Sequence, residues 1–390
     1  MAQGHTFLSR ANGERCHEPN CRHDPQCVRR RVAFRQCGKC TRRFVPAIAI
    51  PSNSDRITFD SLGIPLRAAT QRMPEQVSSE APIRPFDARM LDVGHGHWLY
   101  VEEVGARGGI PALFLHGGPG GGAQHAHRSL FDPKRIHALL FDQRGAGRSH
   151  PYLSIEANTT DHLIADMECI RAHFGIERWL LVGGSWGSTL ALAYAQRFPE
   201  RVTGLVLRAV FLGTRAETQW AFVEGPKLFR PELFADFLAF LPEDERSDPL
   251  QAYLRRLANP DTAVHAPAAR MWNAYERALS TLVPRYARLE SALAGDGPLP
   301  PTPFIEAHYI RNEFFLAPGQ LLGEATRLKG IPGVIVQGRY DLLCPPKSAY
   351  ALTQVWTDCR LQIMDNAGHC MSEPGVAEAM AEAVRKLAGR

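Results

Sequence analysis

Short continuous apolar runs alternate along this chain with stretches whose apolar residues recur every three or four positions, and the alternation sets in only from about residue 85. Runs at 112–115, 136–141, 180–182, 202–207, 334–338 and 361–364 read as strands of the kind buried on both faces of a parallel sheet. Two earlier runs, 90–93 and 98–101, flank Gly94-His95-Gly96 and predict a hairpin. Helical periodicity follows the polar start at 158–161 as far as Phe174, resumes after 185, and returns at about 373–388. The pattern therefore predicts an α/β fold with a mostly parallel, doubly wound sheet. From 208 to about 330 sheet character is missing. Helical runs at 232–241 and 268–282 are interrupted there by Pro242, Pro249, Pro260 and the proline-rich 298–303.

Chemistry enters at the turn after the 180–182 run. Gly183-Gly184-Ser185-Trp186-Gly187 lies between a strand and a helix, the context in which G-x-S-x-G lifts a serine hydroxyl above the sheet edge and tolerates only small neighbours. Ser185 is the candidate nucleophile. A base and an orienting carboxylate are expected later in the chain, in the order Ser, Asp/Glu, His. Asp341 follows the 334–338 strand and His369 follows the 361–364 strand, each just past the carboxyl end where open α/β sheets bind ligands. The run 112–115 ends in His116-Gly-Gly-Pro-Gly-Gly-Gly122, whose backbone N–H groups a ligand can approach closely. With neither G-K-[ST] nor G-x-G-x-x-G in it, that loop reads as an oxyanion loop in preference to a phosphate cradle. Gly118 and Trp186 are the expected oxyanion donors.

Composition changes the picture chiefly at the N-terminus. Residues 1–72 carry a charge balance of +8 out of a total of +5, so the rest of the chain is mildly acidic and the basic pI says nothing about it. Cys16, Cys21, Cys27, Cys37 and Cys40 crowd the same region without hydrophobic periodicity. The segment 1–84 reads as an appendage. A small zinc module, a disordered basic tail and a translation start at Met73 all remain open, because only Cys37-Gly-Lys-Cys40 has metal-ligand spacing. Nothing resembles a signal peptide or an apolar span of about 18 residues. Cys169, Cys344, Cys359 and Cys370 form no disulfide framework, which favours a cytoplasmic setting. No feature points to nucleic acid or to a membrane as partner.

Taken together, His116-Gly-Gly-Pro-Gly-Gly-Gly122, Asp142-Gln-Arg-Gly-Ala-Gly-Arg-Ser149, Gly183-Gly-Ser-Trp-Gly-Ser188, Gly338-Arg-Tyr-Asp341 and Ala367-Gly-His369 resemble the proline iminopeptidase (prolyl aminopeptidase) family of α/β-hydrolase serine peptidases. The resemblance covers about residues 85–390 and implies that 214–318 form an inserted helical cap between two core parts, 85–213 and 319–390. It implies release of an N-terminal proline from small peptides through an acyl-enzyme on Ser185, with Asp341 and His369 completing the triad and no metal or organic cofactor. By the same resemblance, Glu276 and Glu306 would bind the substrate amine, and Arg208 and Phe211 would help line the pocket. Where the family usually carries an aromatic residue after Trp220 this chain has Ala221. An esterase or amidase acting on small non-peptide substrates would use the same triad.

Overall fold

The computed structural model describes residues 83–283, 289 and 297–389. The zinc reading of the cysteines at 16–40, and nearly all of the expected appendage, lie outside the described residues. Among those that are described, eight strands form one sheet: β1 (Asp87–Asp92), β2 (Trp98–Gly105), β3 (Ile110–Leu115), β4 (Ile136–Phe141), β5 (Trp179–Gly184), β6 (Val202–Arg208), β7 (Gly333–Gly338) and β8 (Cys359–Met364). Their order is β1-β2-β4-β3-β5-β6-β7-β8. The first two make the expected hairpin, β2 lies antiparallel on β4, and every pairing from β4 to β8 is parallel.

The helices are α1 (Thr160–His173), α2 (Trp186–Arg197), then α3 (Arg215–Gln219), α4 (Gly225–Phe229), α5 (Pro231–Ala239), α6 (Pro249–Leu257), α7 (Thr262–Leu279), α8 (Pro301–Arg311) and α9 (Gln320–Gly323) between β6 and β7, and finally α10 (Pro346–Val355) and α11 (Val376–Ala388). Both faces of the sheet are covered, which is why the inner strands read as unbroken apolar runs; β5 is buried along its whole length. Period-two alternation sends Leu113, Leu181, Leu205 and Ile335 to the side of Met167 in α1 and Leu190 in α2. Phe114, Val182, Val206 and Val336 go to the other side, against Met380, Val384 and Leu387 of α11.

The segment between β6 and β7 has its own core. Phe237 lies stacked against Tyr253 at 3.9 Å and Tyr275 at 4.0 Å, and Trp272 stacks on Phe222 at 4.3 Å. Two helix starts differ from the sequence pattern for reasons of proline chemistry and capping. The stretch 298–303, read as a break, opens α8, because Pro301 at the first helical position has no N–H to lose and a φ already helical. The helix expected from 268 begins at Thr262, where the Asp261 carboxylate accepts the Ala263 N–H at 2.9 Å. No helix among the described residues is long and apolar enough to cross a membrane.

Candidate active site

The site is built where β3, β5, β7 and β8 end. At the end of β5, Ser185 adopts φ 55° and ψ −127°, a conformation that costs a non-glycine residue on the order of 1–3 kcal/mol. Its neighbours over-determine it. The Ser185 N–H donates to Arg208 O at 2.9 Å, continuing the β5/β6 ladder, and its carbonyl accepts from both the N–H and the hydroxyl of Ser188. The turn works only with glycine on either side: a Cβ on Gly183 would lie 2.4 Å from Gly187 O, and one on Gly187 would lie 2.1 Å from Leu115 O. Ser188 and Thr189 also bond the main chain of Phe211, so the first turn of α2 sets that ring in place.

The Asp341 and His369 loops are locked together before their side chains meet. Arg339 N–H donates to Met364 O and Tyr340 N–H to Ala367 O, while Gly338 passes so close to Gly368 that a Cβ would sit 2.1 Å from its carbonyl oxygen. His369 Nδ1 lies 2.9 and 3.0 Å from the two carboxylate oxygens of Asp341. Asp341 Oδ1 also accepts the Leu343 and Cys344 N–H groups at 3.1 and 2.8 Å. An ionised carboxylate on Nδ1 makes that nitrogen the donor and leaves Nε2 as the free acceptor. Both residues are buried. Among the described residues no hydrogen bond joins the Ser185 hydroxyl to His369; Ser185 shares the cavity wall with Cys344, whose thiol burial pushes well above its ordinary pKa.

The resemblance sets Arg208 beside Phe211 in the pocket, and the structure separates them. At the end of β6 the Arg208 side chain runs along Gly184, where an added Cβ would meet the guanidinium at 2.6 Å, and Nη1 donates to the carbonyl oxygen of His369. Arg208 thus holds the nucleophile turn with its carbonyl and the histidine loop with its guanidinium. Phe211 does line the pocket.

That pocket brings Ser185 and Gly118 together with Glu276, Glu306 and an apolar wall. The amides of Gly118 and Trp186 donate to no group among the described residues, as oxyanion donors must be free to do. Trp186 also opens the twelve-residue helix α2, whose N-terminal end favours negative charge. Glu306 is buried and accepts the Trp272 indole N–H at 2.7 Å; burial, and then the charge of Glu276, hold its carboxyl well above the usual range. Glu276 is pushed up to about 7 by burial. Neither carboxylate has an ion-pair partner among the described residues. A buried acid, Glu306, beside a half-buried one, Glu276, is costly without a cation unless one proton or one cation is shared between them.

Sequence reasoning missed part of the wall. Ile310, Phe314, Leu343 and Cys344 line the pocket with Ala221 and Phe222. Phe314 arrives through a run of three left-handed residues, Glu313, Phe314 and Phe315, none of them glycine, so no local signal announced the turn. The available hint was an aromatic pair just past a helix end. No group of three or more His, Cys, Asp or Glu side chains that could hold a metal ion exists among the described residues.

A family model described as the alpha/beta hydrolase fold matches residues 111–376. A probable proline iminopeptidase from Leptolyngbya boryana is 42% identical over 306 residues, covering 78% of this chain and 95% of its own. A proline iminopeptidase from Xylella fastidiosa (strain Temecula1) is 44% identical over 301 residues, 76% of this chain and 95% of its own. Among solved structures, a proline iminopeptidase-related protein from Thermus thermophilus superposes with a TM-score of 0.52 at 24% identity, over 78% of this chain and 99% of that one. That last likeness speaks to fold alone.

Proposed function

The chain belongs to the proline iminopeptidase family of the α/β-hydrolase fold, and from that membership we infer that it is a serine aminopeptidase releasing N-terminal proline from peptides. One observation carries the assignment of its machinery: a strained serine at a sheet edge opens onto the same cavity as two carboxylates, Glu306 buried and Glu276 half-buried, that lack a cation. Ser185 Oγ turns to His369 Nε2, gives up its proton there and attacks the prolyl carbonyl; such contacts tighten when substrate arrives. Asp341 holds the imidazole and stabilises its protonated form, and the Gly118 and Trp186 amides receive the oxyanion. His369 then protonates the departing amine, and water releases proline from the acyl-enzyme.

Glu276 and Glu306 supply what the charged secondary amine of the substrate requires, a negative pair shielded from water. The helical segment 214–318 acts as a cap that carries both acids over the nucleophile and admits only a chain terminus. A neutral ester would gain nothing from two acids placed there, which favours the peptidase over the esterase reading. A cytoplasmic location fits the four described cysteines, all of them free. The test is a side-by-side assay of Pro, Ala and N-blocked Pro anilides: the free-amine proline substrate should be cleaved and the blocked one spared. In the same assay Ser185→Ala should keep its fold and lose turnover by about 10⁶-fold, the scale seen when a serine-hydrolase nucleophile is removed. A blocked anilide cleaved as fast as the free one would sink the reading.

A further inference from the structure

The motif Asp142–Ser149 has no part in the chemistry above, yet it is wired into the site through buried bonds. Asp142 accepts the Ala123 N–H at 2.7 Å, just past the glycine loop, and Arg144 forks onto Asp166 of α1. Between them, Gln143 does something neither neighbour does. Its side-chain N–H donates to His116 O at 2.9 Å and its side-chain oxygen accepts the indole N–H of Trp186 at 2.9 Å. Its backbone N–H donates to His116 Nε2, also at 2.9 Å, which leaves Nδ1 of that ring to donate to Gly117 O and close the loop on itself. The residue is 2% exposed. His116 stands two residues before Gly118, and Trp186 carries the other free amide.

We propose that Gln143 is the positioning residue of the oxyanion hole, a single buried amide that sets the spacing between the Gly118 and Trp186 N–H groups. The proposal rests on the assignment of those two amides made above. A planar carboxamide holds its donor and acceptor at fixed separation, so the two elements it bonds cannot drift independently. The Trp186 ring leaves the bond little choice of direction, being edge-on to Tyr309 at 4.7 Å and stacked on Phe314 at 5.9 Å. Oxyanion donors act only when they stand about 2.7–3.1 Å from the developing charge, and a misplacement of about 1 Å can cost about 10²-fold. Gln143 is absent from the lining of the cavity that would hold the proline ring and its amine. Its loss should therefore weaken the transition state and leave the ground state alone.

The experiment compares Gln143→Met, which keeps the length of the side chain and removes both bonds, with wild type. For a proline anilide, kcat should fall by roughly 10–10²-fold with KM within about twofold. Affinity for a prolyl boronic acid, whose Ser185 adduct is a tetrahedral anion, should fall by the same factor, while affinity for free proline stays put. Trp186→Phe breaks the same link from the other end with the backbone amide and ring stacking kept, so it should shift boronate affinity in the same direction, and the double variant should be no worse than Gln143→Met. If Gln143→Met does not fold, Trp186→Phe carries the test. Undiminished boronate affinity in the folded variant, or a loss shared equally by free proline, overturns the proposal. A wild-type protein that ignores the boronate would instead overturn the nucleophile assignment.

Discussion

Two kinds of carboxylate are gathered around this site. Asp341, at the end of β7, is supplied by the protein itself: two backbone N–H groups, the His369 ring and, at 3.4 Å, the Gln337 amide all point at it. Of Glu276 and Glu306, from the helical segment, only Glu306 accepts a side-chain hydrogen bond, from the Trp272 indole N–H, and both are pushed upward in pKa by burial. The first is solvated in advance by fixed dipoles and keeps one job throughout the reaction. The others are left short of partners, and on the proposed reading a substrate cation would complete them. A protein can therefore hold an anion in its interior in two ways, and only the unfinished one reports on what binds.

The largest effect that distinguishes the two belongs to Asp341→Asn. Asparagine keeps an oxygen for the Leu343 and Cys344 amides but turns an N–H₂ toward Nδ1, which favours the wrong tautomer of His369. Loss of the carboxylate in such a triad lowers kcat by about 10⁴-fold. KM should stay within a few-fold, because Asp341 does not line the pocket that holds the two glutamates. A kcat within tenfold of wild type would remove the asymmetry.

A smaller effect is expected at the glutamates, and of a different kind. Glu276→Gln and Glu306→Gln keep size and remove charge, so kcat/KM for a free-amine proline anilide should drop by about 10²-fold, while hydrolysis of a small neutral ester is largely spared. Asp341→Asn should harm both substrates alike. If either glutamine variant harms ester and anilide equally, the acid in question belongs to the general machinery and not to amine recognition.

What the sequence made legible follows the same division. Asp341 and His369 could be placed because strand ends announce themselves: 334–338 and 361–364 are apolar runs followed at once by polar residues, and position along a parallel sheet fixes where those residues stand. Glu276 and Glu306 came only through resemblance, since a glutamate on an amphipathic helix looks like any solvated one until the helices around it are packed. Arg208 shows the limit of that route. Its motif spacing to Phe211 was visible, but the alternation of side chains at the end of β6 sends it to Gly184 and the His369 carbonyl. Phe314 was invisible, because its left-handed turn is imposed by packing against Trp186 and Phe211 and not by its own residue types.

The smallest effect is thermodynamic, and its sign is what sharpens the comparison. The folded-state pKa of Glu276 is pushed up to about 7 from an ordinary value of 4.5. Between those values the native state holds a proton that the unfolded chain has released, so this residue makes stability fall as pH rises from about 4.5 through about 7. Glu276→Gln removes that slope. At pH 8 the variant should be more stable than wild type by on the order of 2 kcal/mol, and near pH 4.5 the two should melt together. Activity runs the other way over the same range, because the acid must ionise to hold the substrate amine: wild-type kcat/KM should fall as pH drops below about 7, and in Glu276→Gln that limb should flatten. Thermal melts and pH–rate profiles of the two proteins check both signs. A residue that costs stability where it supports activity is kept for its ligand, whereas a glutamine variant that melts below wild type at pH 8 would mean that Glu276 is already satisfied by the fold, as Asp341 is.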